Sequence, residues 1–234
     1  MKSRQLIVPF NSCDCDEDSG SDSVGEAAVQ HLINMRTIVI FRSIDDALAK
    51  SVIAQLMVLE TVNRQKDITM LINCPGGTVT ASLAIYDAMQ KTVPDIATIG
   101  IGRSYSGGAL LLVAGTKGKR RMLPNASLMI HKIRGGIAGD HADMTIEKAL
   151  LDREQELLTS ILAKHTGQTV DKLEELTDRN LYLTAEQSLE FGAIDLVDRE
   201  KGWYPPPEPK PKRPKKGREK KDGVAAETPE AKKP

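Results

Sequence analysis

Residues 96–115 constrain this chain more than any other stretch. Ile96-Ala-Thr-Ile-Gly-Ile101 is apolar and rich in β-branched residues, Gly102-Arg-Ser-Tyr-Ser-Gly-Gly108 is a Gly/Ser-rich bend, and Ala109-Leu-Leu-Leu-Val-Ala114 is wholly apolar and closed by Gly115. The composition predicts a short buried strand, a turn over 102–108 and a buried helix. A strand that turns sharply into a helix with Ser106 at the bend exposes a hydroxyl beside the unpaired N–H groups of the first helical turn, where an anion is stabilised. Such a bend suits a nucleophile. It equally suits a serine that merely caps a buried helix.

The flanking sequence repeats the strand–helix pattern. Glu26–Met35 reads as a short amphipathic helix and Thr37–Phe41 as a strand. Asp45 is placed to cap a helix with Leu48, Val52, Ile53, Leu56, Met57 and Leu59 at helical spacing. Asp67–Ile72 is a strand turned by Asn73-Cys-Pro-Gly-Gly77 into a helix over 80–91. Met122 and Ser127–Ile130 continue as strand. Helices follow at 144–166 and 169–179, then strand-like Leu181–Leu183, a helix opened by Thr184-Ala-Glu-Gln and stopped at Gly192, and a final strand over 194–197. This alternation predicts an α/β protein with a parallel sheet covered by helices.

Charge is unevenly placed along the 234 residues. Residues 205–234 hold 10 Lys/Arg against 5 Asp/Glu and 8 of the 12 Pro, which leaves 22 basic and 27 acidic side chains in the preceding 204. A mildly acidic body argues against nucleic-acid binding, while a basic tail can touch acidic surfaces weakly. Residues 1–24 contain the apolar patch Leu6-Ile-Val-Pro-Phe10 and a Ser/Asp/Gly-rich segment that buries too little surface to order itself. The expected organisation is a disordered acidic segment (1–24), one folded domain (25–204) and a disordered Pro/Lys-rich tail (205–234). The odd count of three Cys suits a reducing compartment, and Cys13-Asp-Cys15 reads as a solvated acidic loop rather than a metal site. No apolar run approaches the roughly 18 residues of a membrane span, and no signal-peptide core is evident, so a cytoplasmic protein is expected.

Seven motifs, Ile72-Asn-Cys-Pro-Gly-Gly77, Ile85-Tyr-Asp87, Gly115-Thr-Lys-Gly-Lys-Arg120, Leu123-Pro-Asn125, Met129-Ile-His131, His165-Thr-Gly-Gln168 and Glu190-Phe-Gly-Ala-Ile-Asp195, together resemble the ClpP family, the proteolytic subunits of the Clp protease. The resemblance runs without an evident gap over 37–197. It implies a crotonase-like β-α spiral with a projecting helical handle. It also implies a serine endopeptidase assembled as a tetradecamer of two stacked heptameric rings, which hydrolyses unfolded polypeptides inside a closed chamber. An AAA+ Clp unfoldase feeds that chamber; ATP belongs to the unfoldase, and no cofactor or metal is implied for this subunit.

Carried over position by position, the resemblance places the nucleophile on Ser106 and the general base on His131. A serine hydroxyl needs an adjacent imidazole to take its proton, and His131 directly follows an apolar strand able to aim its ring. In isolation such a residue also reads as a satisfied core histidine. Of the other histidines, His31 lies on the first helix, His141 in a polar loop, and His165 in a helix C-terminal turn where a cation suits the dipole. Ser104 is the rival nucleophile, but it lies further from the helix start. The oxyanion donors fall on the backbone N–H groups of Gly77 and Gly107; the family usually has Met at 107, and a Gly-Gly pair is looser. Gly135 and Gly136 match the strand along which substrate adds, and Asp178 and Arg179 the pair that bridges rings.

The third triad residue departs from the family, whose Asp falls on Asn180. An Asn carbonyl accepts from the imidazole Nδ1–H but offers no negative charge to the imidazolium, so a Ser-His-Asn site of reduced or assembly-dependent activity is expected, and Asn180→Asp is expected to raise turnover. The unfoldase pocket departs too, with Thr69, Leu71 and Lys91 where the family often has aromatics. Two readings therefore stand side by side: an active peptidase subunit, and a structural or regulatory subunit that completes rings with a more typical ClpP paralogue. An acyl-CoA enzyme of the same superfold is disfavoured, since that chemistry needs no Ser-His pair.

Overall fold

The computed structural model describes residues 23–136 and 139–203. The Leu6–Phe10 patch, Cys13, Cys15 and the basic tail lie outside the described residues. Met1–Arg199 forms one compact unit and Glu200–Pro234 a second, of which residues 200–203 are described.

Helix α1 (Ser23–Asn34) begins inside the segment expected to be acidic linker and leads into β1 (Thr37–Ile40). Helix α2 (Asp46–Val62) is capped as expected, Leu48 N–H donating to the Asp45 carboxylate at 2.7 Å. Strand β2 (Ile68–Cys74) alternates fully buried with half-buried residues, so Ile68, Met70, Ile72 and Cys74 face the core while Thr69 and Leu71 lie on the opposite face. Helix α3 (Val79–Lys91) crosses back to β3 (Ile96–Tyr105), which feeds α4 (Gly107–Val113). Strands β4 (Arg120–Met122) and β5 (Ser127–Ile130) follow, then α5 (His141–Thr166) and α6 (Val170–Leu176). Strand β6 (Leu181–Thr184), helix α7 (Ala185–Phe191) and β7 (Leu196–Val197) complete the described chain.

The sheet order is β1-β2-β3-β4-β7, with every neighbour parallel. Strand β3 is longer than its composition suggested, because it serves two partners in turn. Thr98–Gly100 pairs with β4, and Arg103–Tyr105, expected to be turn, pairs in parallel with Ser127–Met129 of β5. One pairing departs from the parallel expectation: β6 runs antiparallel to β5, setting Ile130 opposite Leu181. These two departures matter to the site, because they bring the ends of β3, β5 and β6 together.

Helix α4 is what the core is built on. Ala109, Leu111, Leu112 and Val113 are fully buried in one core cluster with Ile38, Ile72, Ile85, Met122 and Leu128, and each large side chain so buried contributes about 1.5–3 kcal/mol. Position 106 is therefore anchored by apolar burial immediately after it. Helix α5 divides in two. Its first ten residues are all exposed, whereas Thr159, Ile161 and Thr166 are buried against the body, giving the projecting half-helix expected of a handle. The last helix is fixed by a reciprocal cap: Gln187 N–H donates to Thr184 Oγ1 at 3.2 Å, and Thr184 N–H to Gln187 Oε1 at 2.9 Å. A buried ion pair ties the far edge, where Arg120, 1% exposed, donates from Nε and Nη2 to Asp195 at 2.9 and 2.7 Å.

Candidate active site

Ser106 sits between β3 and α4 in a conformation that few residues with a side chain adopt, with φ 54° and ψ −118°. Its N–H donates to Met129 O at 2.8 Å and its carbonyl accepts from Leu110 N–H at 3.0 Å, so both chain directions are held by neighbouring elements. A serine acting only as a cap has extended backbone and accepts from the helix with its own oxygen. Ser106 does neither: its φ is positive and its side chain makes no capping bond. Backbone strain of this kind costs on the order of 1–3 kcal/mol and persists where surrounding structure enforces it, as at nucleophile bends.

The turn after β2 explains what holds that strain. Gly76 has φ 105°, and a Cβ there would lie 2.7 Å from the Ser106 Cβ, so only glycine admits the close approach. Ile44 N–H donates to Gly76 O at 2.8 Å and Thr78 N–H to Ile44 O at 3.0 Å. In an extended chain successive groups alternate, so the Gly77 N–H between them is directed away from Ile44. Gly77, Ser106, Gly107 and His131 line one cavity of about 110 Å³. Gly107 is confined rather than loose. A Cβ at 107 would meet Ser82 Oγ at 2.4 Å, and that hydroxyl is itself tied to Thr78 O at 2.8 Å. Behind the turn Cys74 is buried, which raises its thiol pKa, and its sulfur accepts from Gly76 N–H at 3.3 Å.

His131 follows β5 directly and is half-buried. Its Nδ1 lies 2.5 Å from the carbonyl oxygen of Lys132. A carbonyl only accepts, so Nδ1 carries a proton, and in the neutral ring the lone pair is then on Nε2. That is the tautomer a general base requires. The chain beyond is pinned to α5 where Ile133 N–H donates to Gln155 Oε1 at 2.7 Å. Gln155 in turn donates to Thr159 Oγ1 at 3.0 Å.

Asn180 stands apart from this pair. Its Oδ1 accepts a short hydrogen bond from Arg134 Nη2, and its Nδ2 donates to Tyr182 Oη at 3.3 Å. A guanidinium has donors only, so the amide orientation is chemically determined. Tyr182 also packs edge-on against Tyr105, ring centres 5.7 Å apart, linking position 180 to the end of β3. Among the described residues no hydrogen bond joins Ser106 to His131 or His131 to Asn180. Two of the three expected residues therefore share a cavity, and the third is held by neighbours the sequence did not single out.

The remaining expected residues are placed as follows. Ser104 is completely buried with its Oγ unpartnered, inside the sheet rather than on the cavity, so no substrate reaches it. Gly135 and Gly136 are exposed and outside regular structure. Asp178 pairs with Lys132 at 3.5 Å, largely in solvent, and Arg179 makes no ion pair among the described residues. His31 lies in α1, as expected, and His141 is the first residue of α5 rather than a loop residue. The expectation of a cationic His165 is corrected. Burial, reinforced by Lys164 and Arg120, lowers its pKa from 6.5 to about 4, and the neutral ring bonds Tyr86 Oη at 3.1 Å.

Arg134 and Gln155 are the polar cavity residues of most consequence that sequence reasoning missed. Their neighbours, Gly135-Gly136 for the first and helical spacing for the second, carry no signal of what the side chains bond. Among the described residues no group of three or more His, Cys, Asp or Glu is arranged to hold a metal ion, and no helix is long and apolar enough to cross a membrane. A strained serine, an imidazole and two backbone glycines line one cavity, the groups that acyl transfer would require. The family model for Clp protease matches residues 20–201, which include every residue of that cavity, and the chain belongs to the Clp protease family.

Proposed function

We propose that this chain is a serine endopeptidase subunit of a Clp-type complex. The observation that carries the reading is Ser106: a serine at a helix start, with positive φ and no capping bond, facing the cavity it shares with His131. In the reaction, His131 Nε2 removes the Ser106 hydroxyl proton as Oγ attacks the scissile carbonyl. The N–H groups of Gly77 and Gly107 receive the oxyanion; losing one such donor typically costs about a hundred- to a thousandfold in rate. The imidazolium then returns its proton to the departing amine, and water repeats the sequence on the acyl-enzyme. Lys132 O holds the Nδ1 proton throughout, so orientation does not depend on residue 180.

On this reading the subunit works in two stacked heptameric rings in the cytoplasm, on unfolded polypeptide delivered by an ATP-driven unfoldase, with no cofactor of its own. Gly135 and Gly136 receive the substrate strand by main-chain hydrogen bonding. Asp178 and Arg179 contribute to ring stacking. The alternative, a structural or regulatory subunit acting with a ClpP paralogue, draws on one specific observation, the capture of Asn180 by Arg134.

Fluorophosphonate labelling separates the two. The peptidase reading expects Ser106 to be labelled in the full-length protein, alone or mixed with a ClpP paralogue, and Ser106→Ala to abolish labelling and peptide cleavage. Absence of label in both preparations, with assembled particles confirmed, leaves the structural role.

A further inference from the structure

Arg134 lines the cavity that holds Ser106 and His131, and among the described residues the rest of that lining contains no Asp, Glu, Lys or second Arg. Among the described residues it is the one permanent charge on that surface. Its recorded partner is a neutral amide oxygen, that of Asn180. Asp178, two residues before Asn180, is engaged by Lys132 at 3.5 Å, and Arg179 adds a positive charge between them in sequence. The guanidinium is exposed rather than buried. It is therefore accessible to a chain lying in the cavity, and such a chain would exclude water from it.

A planar guanidinium prefers a carboxylate to an amide. The carboxylate presents two oxygens to the guanidinium fork, and ionised partners form hydrogen bonds roughly twice as strong as neutral ones. A substrate carboxylate within reach of Arg134 would therefore outcompete the Asn180 amide. Resting on the peptidase reading above, we infer that Arg134 is a specificity-determining residue, which selects polypeptides bearing an Asp or Glu side chain close to the bond presented to Ser106. The exchange has a second consequence. It frees the Asn180 amide from Arg134.

The test uses the full-length protein, alone and mixed with a ClpP paralogue, and separates binding from turnover. Fluorescent peptides identical except for Glu, Gln or Lys at each position across the scissile bond are titrated against Ser106→Ala particles. Glu is expected to bind about tenfold more tightly than Gln at one position, with Lys weakest. The advantage should disappear in the added Arg134→Met background, shrink in Arg134→Lys, and invert toward Lys in Arg134→Glu. Raised salt should narrow it. Equal binding of Glu and Gln at every position overturns the inference, as does a Glu preference that survives Arg134→Met. Because this readout needs no catalysis, a failure of Ser106 labelling in the wild-type chain sinks the peptidase reading separately.

Discussion

The backbone carbonyl of Lys132 lies 2.5 Å from Nδ1 of His131, the neighbour that precedes it. A side chain seldom finds its orienting acceptor so near in sequence, and here it leaves the expected orienting residue unused. In a Ser-His-Asp site the acid holds the tautomer and stabilises the imidazolium. Here a neutral carbonyl supplies the first function and no charge supplies the second. On the proposed peptidase reading, selection of the tautomer then needs no third side chain.

That arrangement changes what Asn180→Asp should do. A carboxylate at 180 meets Arg134 first, in place of the amide that already bonds it. The single substitution is therefore expected to leave peptide turnover within about twofold of the parent, the new charge being neutralised by Arg134. In Asn180→Asp/Arg134→Met the carboxylate is released, and turnover should rise by about tenfold or more. Steady-state kcat for the parent, both singles and the double variant checks this; a large gain from the single variant would show that Arg134 does not hold position 180.

Gly107 and Ser82 should behave as a coupled pair. A side chain at 107 collides with the Ser82 hydroxyl, which stands 2.4 Å from the place of its Cβ. Gly107→Met is expected to cost about 1–3 kcal/mol and to depress activity by displacing the oxyanion donor. Ser82→Ala removes the closest obstacle but leaves Ile44 Cδ1 at 3.2 Å and the residue-82 Cβ at 3.3 Å, both still tight, so the double variant should recover part of the loss. Urea unfolding of the four proteins gives the coupling energy directly.

The Arg120–Asp195 pair predicts the response to strong acid. Burial alone would raise the Asp195 pKa, but the hydrogen bonds from the Arg120 side chain and backbone and from Gly118 N–H outweigh it, lowering the pKa from 3.8 to about 2. A carboxylate with a depressed folded-state pKa contributes stability that is complete above the unfolded value and is lost as pH falls toward the folded one, here between pH 3.8 and 2. Asp195→Asn strands a guanidinium that is 1% exposed, and is expected to cost about 3–5 kcal/mol at neutral pH. Chemical denaturation at pH 7 and a pH series on the parent test both statements.

His165 acts in a separate, milder window. Its folded pKa of about 4 lies below the ordinary 6.5, so between them the unfolded chain binds a proton that the folded chain refuses. Stability is therefore complete above pH 6.5 and is lost progressively as pH falls toward 4. The thermal midpoint should decline across that interval, and His165→Gln, which has no proton to gain there, should flatten the decline. An unchanged slope in the variant would assign the decline to other groups.

The sequence by itself determined the alternation of elements, the caps at Asp45 and Thr184, the apolar anchor of α4 and the bend that carries Ser106. All of these rest on signals between neighbours or one helical turn apart: side-chain period, cap chemistry, Gly at a close approach. Pairings between distant segments decided the rest. Arg103–Tyr105 read as turn because Gly and Ser dominate locally, yet it becomes strand because β5 offers a partner some two dozen residues on. His165 read as a helix-end cation, yet burial beside Arg120 keeps it neutral. Asn180 was legible as the residue standing where an acid was expected, but its capture by Arg134 joins positions 46 residues apart. Local sequence carries no trace of that bond, because a guanidinium binds whichever acceptor the completed fold leaves within its reach.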